Sequence, residues 1–326
     1  MSGPSATLPR AHFVPQMYLR GFGDPTRKQN DLWRYAPGFS PQPKSAKSVA
    51  WEDFFYDVGT ELPPECDIEK AFSKIETIAA PHLQKLVAGN IHLTTQEKSE
   101  LATFISLLMT RTRAFREMVN AIAPQLNRLA TKKTLEMPGG VEELIAAHQG
   151  VTGERVKTEE VRGLLQALVD GNVIGKQTSK AWTIKQAFVV AVAFDAQLQS
   201  MPWNLLEAPA GEAFITSDNP VLLVDPARGA ARRPKEYGGP SAAAQFHLPA
   251  SPKHSLVAGF IGLNETAKVV SSDIVKSCNE NQIRHAHREV YASFRSDGLQ
   301  QDVDRIFADR QPLVPTLPDD SLDGGG

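Results

Sequence analysis

His12 is the first residue whose type and setting suggest chemistry. It begins the segment HFVPQMYLRGF at 12–22, where apolar side chains surround Pro15. A histidine titrates near neutral pH, so it can serve as a general base or as a metal ligand. It can equally do no more than orient the start of the short helix that Pro15 predicts. We predict His12 as a catalytic residue and keep the structural role as the alternative.

Two carboxylates, Glu69 and Glu76, stand seven residues apart in IEKAFSKIE at 68–76. This spacing puts them on one face of a helix, two turns apart. Carboxylate oxygens suit Mg²⁺ when a third ligand comes from elsewhere, and Asp218 is our candidate for that ligand. The alternative is an ordinary solvated helix face, on which Glu69 favours the first turn of its helix.

Three arginines, Arg111, Arg113 and Arg116, occur in TRTRAFR at 110–116. Arg113 and Arg116 share a helix face, whereas Arg111 points elsewhere. An inward-facing arginine near an apolar stripe could bind a carboxylate or phosphate at two points. We predict that Arg111 and Arg113 bind substrate. A buried ion pair with one of the two glutamates described above is the alternative.

Asp218 and Asn219 lie in FITSDNPV at 214–221, between two apolar runs. Asp-Asn-Pro is ordinary turn chemistry, because Asp and Asn side chains bond back to the local backbone. The flanking runs nevertheless predict buried strands, which would hold a carboxylate as rigidly as an active site requires. We predict Asp218 and Asn219 as catalytic residues and keep the turn as the alternative.

Basic residues outside the predicted helices could bind anionic partners. Lys253, in LPASPK at 248–253, could meet an anionic group, and we predict it as a third substrate-binding residue; the alternative is a plain strand connection. The segment 226–243 is long and basic. A net charge of -2 gives no global attraction to nucleic acid, so a nucleic-acid partner would depend on such local basic segments.

The elements that must position these residues begin with helices. Apolar residues recur every three or four positions from Asp67 to Leu86, and Pro81 predicts a kink or split in that helix. Thr94 and Glu97 form a capping box that starts the next helix. Its apolar stripe continues to Ile122, before a break or bend at Pro124.

The remaining pattern predicts shorter helices near 140–149 and 158–170, and a helix over 179–199 that is apolar on nearly all sides. We expect this last helix to be central and buried. After Pro202 the period changes to short strands separated by turns, followed by a helix near 271–287. The fold class is α+β, a largely helical N-terminal and middle part packed with a small, mostly antiparallel sheet formed mainly by the C-terminal third.

Domain organisation and location follow from composition. We predict a disordered N-terminus over 1–11, one domain over 12–310 and a disordered tail over 311–326. Only Cys66 and Cys278 are present, so no disulfide framework is expected. No signal-peptide core is visible, and the longest apolar run, 187–194, is too short to cross a bilayer. These features predict a soluble, cytoplasmic protein without membrane contact.

Several sequence motifs of common enzymes are absent. The chain has no G-x-x-x-x-G-K-[ST], no G-x-G-x-x-G after a strand, no H-E-x-x-H and no G-x-S-x-G. Nucleotide triphosphatases, Rossmann oxidoreductases, zincins and α/β-hydrolases are therefore disfavoured.

Five segments, in this order, resemble a bacterial family known as domain of unknown function 4238. They are 12–22, 68–76, 110–116, 214–221 and 248–253. Members look like H-x-V-P-x-x-Y-L-x-x-F at the start, then T-S-D-N-P-V, then a P-L-S-P-like motif. The resemblance covers roughly 12–294, and the first and fourth segments are the most specific. We refer to these five segments below as the motifs, numbered in chain order.

The family resemblance implies no activity. It does raise the weight of His12, Asp218 and Asn219, because a polar turn shared as a family signature has a role. The fifth motif departs slightly from the family, with Ala250 inside LPASP.

Two functions are consistent with these residues. The first is a metal-assisted hydrolase of phosphate esters or nucleic acid, in which Asp218 with Glu69 or Glu76 holds a divalent metal and an arginine binds phosphate. The second is a non-catalytic binding or regulatory protein whose motifs are structural. That alternative predicts that His12 and Asp218 bond to backbone groups.

Overall fold

The computed structural model is an α+β structure. It describes residues 10–27, 29–53, 55–56, 68–171, 179–225, 230–231, 245–259 and 266–310. The chain divides into two compact units, residues 1–117 with 180–313 and residues 118–179 with 314–326. The single domain over 12–310 stays a prediction. The segments predicted to be disordered lie outside the described residues, except for Arg10 and Ala11 in a strand.

The helices follow the predicted order along the chain. They are α1 Gln16–Leu19, α2 Ile68–Val87, α3 Thr95–Thr110, α4 Arg113–Glu136, α5 Gly140–Thr152, α6 Thr158–Val169, α7 Lys180–Ser200, α8 Ser272–His285 and α9 Asp297–Ala308. The capping box before α3 is confirmed, because Thr94 and Glu97 exchange both hydrogen bonds. α2 continues through Pro81 and α4 through Pro124, so neither proline splits its helix.

The stripe predicted to run unbroken to Ile122 is interrupted between α3 and α4. Arg111 ends α3 outside helical geometry, and the Thr112 hydroxyl accepts a hydrogen bond from the backbone N–H of Phe115 at 3.2 Å. A threonine in that position caps the start of the following helix. The break turns the chain within the third motif, so its arginines belong to two helices.

The strands form three sheets. They are β1 Arg10–His12, β2 Leu32–Tyr35, β3 Gln42–Lys44, β4 Trp51–Asp53, β5 Trp203–Glu207, β6 Thr216–Ser217, β7 Leu222–Asp225, β8 Ala230–Ala231, β9 Gln245–Pro249, β10 His254–Ala258, β11 Ala267–Val269 and β12 Val290–Ala292. The sheet orders are β1-β4, β11-β5-β10-β9-β7-β8 and β3-β2-β12-β6. Every described pairing is antiparallel except β11 with β5.

Strand location is only partly as predicted. Five strands of the six-stranded sheet lie in the C-terminal third and its β5 lies just before it, but the other two sheets take strands from the first 53 residues. Each N-terminal strand is three or four residues long; β1 pairs with β4, and β2 pairs with both β3 and the C-terminal strand β12.

The main core of the first unit lies between the helices α2, α3 and α7 and the six-stranded sheet. The central buried helix is α3, not α7 as predicted. On α3, nine residues from Leu101 to Thr110 are buried. On α7, Val189 is 58% exposed and Val192 is 70% exposed. An apolar helix surface therefore does not by itself show which side is covered.

The second unit contains the C-terminal part of α4 together with α5 and α6. The predicted helices near 140–149 and 158–170 are confirmed as α5 and α6. Arg162 and Glu142 join these two helices at 3.5 Å. Among the described residues, no helix is long and apolar enough to span a membrane.

Candidate functional site

Tyr18 connects three motifs through one buried hydroxyl. The Tyr18 Oη donates to the Pro249 carbonyl at 2.7 Å and lies 2.7 Å from Thr216 Oγ1, which can then act as donor to it. Burial raises the pKa of Tyr18 far above its ordinary value, so the hydroxyl stays neutral. The first, fourth and fifth motifs therefore meet at a fully satisfied hydrogen-bond node.

Asp218 is buried, and backbone groups occupy both of its oxygens. Oδ1 accepts from the N–H of His287 at 2.6 Å, and Oδ2 accepts from those of Arg288 at 2.7 Å and Glu289 at 3.1 Å. Burial raises the pKa of Asp218 to about 7, whereas the three N–H donors favour the charged form. The side chain holds the loop after α8 against the fourth motif.

Asn219 extends this link to the third motif. Its Nδ2 donates to the His285 carbonyl at 3.0 Å, and its Oδ1 accepts from Thr112 Oγ1 at 3.2 Å. Thr112 is itself the cap of α4 and is fully buried. The polar turn therefore connects the end of α8 with the α3–α4 junction, where it fixes the residues next to the arginines.

His12 uses both ring nitrogens inside its own neighbourhood. Its Nε2 donates to the Lys47 carbonyl at 3.2 Å, and its Nδ1 accepts from Gln16 Nε2 at 3.5 Å. Burial lowers the pKa of His12, against the opposing effects of the Lys47 carbonyl and the Glu76 charge, and the Arg111 charge lowers it further. A neutral imidazole that orients the start of α1 fits this setting.

The predicted substrate-binding arginine Arg111 is buried in an ion pair with Glu76. Its Nη1 donates to Glu76 Oε1 at 2.8 Å, and its side chain is 4% exposed. The guanidinium carbon also lies 5.1 Å from the centre of the Phe72 ring. Within the described residues, the Nε and Nη2 atoms of Arg111 have no hydrogen-bond partner. Those two atoms form the guanidinium edge that binds an anion at two points.

Arg113 and Arg116 share a helix face as predicted, and both bind Glu52 of β4. Arg116 Nη2 lies 3.0 Å from each Glu52 oxygen, and Arg113 Nη2 contacts the same carboxylate. Burial acts to raise the pKa of Glu52, but the two arginines together lower it below its ordinary value. The Glu52 role was missed, because its partners follow it by more than 60 residues; the charge between aromatics in WEDFFYD was the only visible signal.

A cavity lies at this cluster: the centre of a water-sized sphere can reach about 30 Å³ of it, and all the space between its lining atoms, open solvent included, is about 410 Å³. Its walls come from residues 55–56, α2, the α3–α4 junction and α7. Arg111, Arg116 and three threonines contribute the polar wall. The rest is apolar, including five aromatic rings: Phe55, Tyr56, Phe72, Phe115 and Phe188.

Tyr56 adds a second unmatched polar group to the cavity wall. Its hydroxyl is buried and, in the described part of the chain, has no hydrogen-bond partner. Burial is the main cause that raises the pKa of Tyr56. The Arg111 charge lowers this pKa, and the charges of Glu69 and Glu76 raise it, so the hydroxyl lies near these three side chains. Glu69 is exposed on α2. Sequence reasoning did not select Tyr56, because a lone tyrosine beside a phenylalanine carries no motif.

Lys253 belongs to a different surface. It pairs with Glu207 at 3.0 Å while its side chain is 64% exposed. The open groove beside it, about 450 Å³, is lined by residues 207–213 and shares no lining residue with the cavity at Arg111. The structure therefore brings Arg111 and Glu76 into contact but leaves Lys253 elsewhere.

The predicted metal set gains no support from these contacts. No group of three His, Cys, Asp or Glu residues arranged to hold a metal ion occurs in the described ranges. Asp218 serves backbone N–H groups and Glu76 serves Arg111. The metal roles of Glu69, Glu76 and Asp218 stay predictions.

Fold and site together define an α+β protein with a buried arginine at an aromatic-lined cavity. The chain belongs to the family described as protein of unknown function (DUF4238), whose model matches residues 10–296. This match confirms the family resemblance and spans all five motifs. No curated protein and no solved structure matches the chain.

Proposed function

We propose that this chain is a non-catalytic binding protein that takes a small anion with an apolar body into the cavity at Arg111. The observation that carries the proposal is the set of unmatched donors in the cavity wall: Arg111 Nε, Arg111 Nη2 and the Tyr56 hydroxyl. A buried polar group without a partner costs free energy, so a native structure usually supplies an acceptor. A bound anion would supply one here.

The contacts of the motif residues support a binding role over a catalytic one. His12 and Asp218 bond to backbone groups, as the non-catalytic alternative predicts. A general base must have an atom within reach of a substrate proton, but every acceptor atom of these two side chains already has a donor. Metal-assisted hydrolysis and nucleic-acid binding have no observation in their favour among the described residues.

Other expectations from the sequence remain part of the proposal. The cytoplasmic location and the bacterial source are predictions that belong with a ligand-binding role inside the cell. Most of the basic segment 226–243, on which nucleic-acid binding would depend, lies outside the described residues.

Thermal melting with candidate anions tests the proposal directly. The full chain is melted with benzoate, octanoate or phenyl phosphate, each against sodium chloride at equal ionic strength. A ligand that binds only the native state stabilises it by about 2.7 kcal/mol at 100 times its dissociation constant. We expect at least one of the three anions to raise the melting temperature.

A double variant shows whether the cavity is responsible. Arg111→Gln with Glu76→Gln removes both charges of the buried pair, so neither partner is left uncompensated. Arg34→Gln with Glu289→Gln is the matched control, since that pair lies 2.6 Å apart in the four-stranded sheet. The stabilisation should vanish in the first variant and persist in the second. Equal shifts in both variants, or none with any anion in the wild type, would refute the proposal.

A further inference from the structure

The ligand class can be narrowed from the donors that the cavity leaves unmatched. This step rests on the proposed function. The Arg111 edge formed by Nε and Nη2 presents two parallel N–H groups, which match the two oxygens of a carboxylate. The Tyr56 hydroxyl is a third donor on the same wall. A carboxylate has about four lone-pair positions, so it can accept from all three donors at once.

The surrounding charges favour a monoanion. Arg111, Arg113 and Arg116 share two carboxylates, Glu76 and Glu52, which leaves one positive charge in the hydrogen-bonded cluster. A carboxylate with one negative charge balances it, whereas a phosphate monoester carries close to two at neutral pH. Glu69 is exposed on the same helix, where solvent screens its charge.

A phosphate would also lack partners for its remaining oxygens. Of the three threonines in the wall, Thr110 donates to the Ser106 carbonyl and Thr112 donates to Asn219, and Thr183 already has an interaction of its own. Arg116 uses Nη2 for Glu52. A third ligand oxygen would therefore face a mainly apolar wall, and a buried acceptor without a donor is costly. A carboxylate has no such oxygen.

The shape of the wall points to a planar apolar group. Five of the 13 lining residues are aromatic. Phe72 and Phe188 stack at 5.8 Å between ring centres, and Tyr56 meets Phe72 edge-on at 5.1 Å. Aromatic rings pair favourably with further rings through offset or edge contacts. The centre of a water-sized sphere can reach about 30 Å³ of the cavity, which is room for a head group, so the ring would lie against the apolar lining on the side that opens to solvent.

We propose that the site binds an aromatic monocarboxylate, with the carboxylate on the Arg111 edge and the Tyr56 hydroxyl and the ring against Phe55, Phe72 and Phe188. Arg111 and Tyr56 are specificity-determining residues in this arrangement. Arg111 selects the carboxylate, and Tyr56 favours it over anions that cannot use a third donor.

Calorimetric titration of the full chain with four probes tests this ligand class. The probes are benzoate, cyclohexanecarboxylate, phenyl phosphate and benzamide, at neutral pH and fixed ionic strength. Benzoate should bind most tightly, and benzamide, which lacks the charge, should bind at least tenfold more weakly. Tyr56→Phe should weaken benzoate about tenfold, because one hydrogen bond to a charged group is lost. Tyr35→Phe is the control. The Tyr35 hydroxyl donates to the Phe294 carbonyl, and Tyr35 does not line the cavity, so benzoate affinity should not change.

The outcomes separate this inference from the proposed function. Tighter binding of phenyl phosphate, or equal binding of cyclohexanecarboxylate, would overturn the aromatic monocarboxylate while the anion-binding role stands. An unchanged benzoate affinity in Tyr56→Phe would overturn the assigned role of the hydroxyl. Failure of all four probes, and of octanoate, would overturn both proposals.

Discussion

The motif network and the arginine cavity are both buried and polar, but they differ in how completely their donors are matched. In the motif network, the hydroxyl of Tyr18 and the side-chain oxygens of Asp218 and Asn219 all have partners. In the cavity, donors on Arg111 and Tyr56 have none in the described part of the chain. Buried polar groups are normally satisfied, so the first region is explained by the fold alone and the second is not.

This difference changes how the residues of the family motifs are interpreted. The polar turn at 214–221 is, with the first motif, one of the two most specific signatures in the chain, yet its side chains hold other segments together. The contacts explain that specificity without chemistry, because a substitution at Asp218 or Asn219 would remove the partners of several backbone groups after α8. The unmatched donors of the candidate site instead come from Arg111, in the third motif, and from Tyr56, which lies outside every motif.

The largest expected effect tests the motif network. Asp218→Ala removes a buried carboxylate that accepts from three backbone N–H groups, and each buried polar group left unsatisfied costs about 1–3 kcal/mol. We expect a loss of about 3–5 kcal/mol in the free energy of unfolding, measured by urea denaturation. Asp302→Ala is the control, because its partner Arg305 is exposed, and it should change stability by less than about 0.5 kcal/mol. A loss below about 1 kcal/mol in Asp218→Ala would show that the matched hydrogen bonds of the motif network do not stabilise the fold as described.

The second effect concerns the pH dependence of the same carboxyl. Burial raises the pKa of Asp218 to about 7 in the folded chain, against 3.8 for an ordinary aspartate. Between these two values the folded state holds a proton that the unfolded state has lost, so stability falls as pH rises. The full difference is on the order of 4 kcal/mol, at 1.36 kcal/mol for each pKa unit.

Urea denaturation from pH 4 to pH 7.5 of the wild type and Asp218→Asn measures this effect. Asn does not titrate, so the stability difference between the two proteins isolates the carboxyl. That difference should decrease as pH rises through this window. A difference that stays constant between pH 4 and pH 7.5 would mean that the three N–H donors outweigh burial and keep the group charged.

The elements could be predicted further than the site. Periodicity and the capping box located the long helices, because these signals lie within a few residues of each other. The break at Thr112 was missed, since its hydroxyl completes its bonds with Asn219, which is 107 residues away. The Glu52 contacts with Arg113 and Arg116 are equally remote. The sequence predicted one contact beside the cavity, the ion pair between Arg111 and Glu76, and gave it as the alternative to substrate binding. The helical spacing of the glutamates and an arginine near the apolar stripe suggested that pair.

The smallest expected effect is the difference in stability between two variants of buried tyrosines, Tyr18→Phe and Tyr56→Phe. Tyr18→Phe leaves the Pro249 carbonyl and Thr216 without the partner they share, so we expect a loss of about 1–2 kcal/mol in the free energy of unfolding. Tyr56→Phe removes a hydroxyl without a partner, so stability should stay within about 0.5 kcal/mol or rise. Urea denaturation measures both changes in the free energy of unfolding. The protein must be free of ligand, because an anion bound at Tyr56 would itself stabilise the wild type. If Tyr56→Phe cost as much as Tyr18→Phe, the Tyr56 hydroxyl would have a partner within the fold, and the cavity would hold one fewer donor for a ligand.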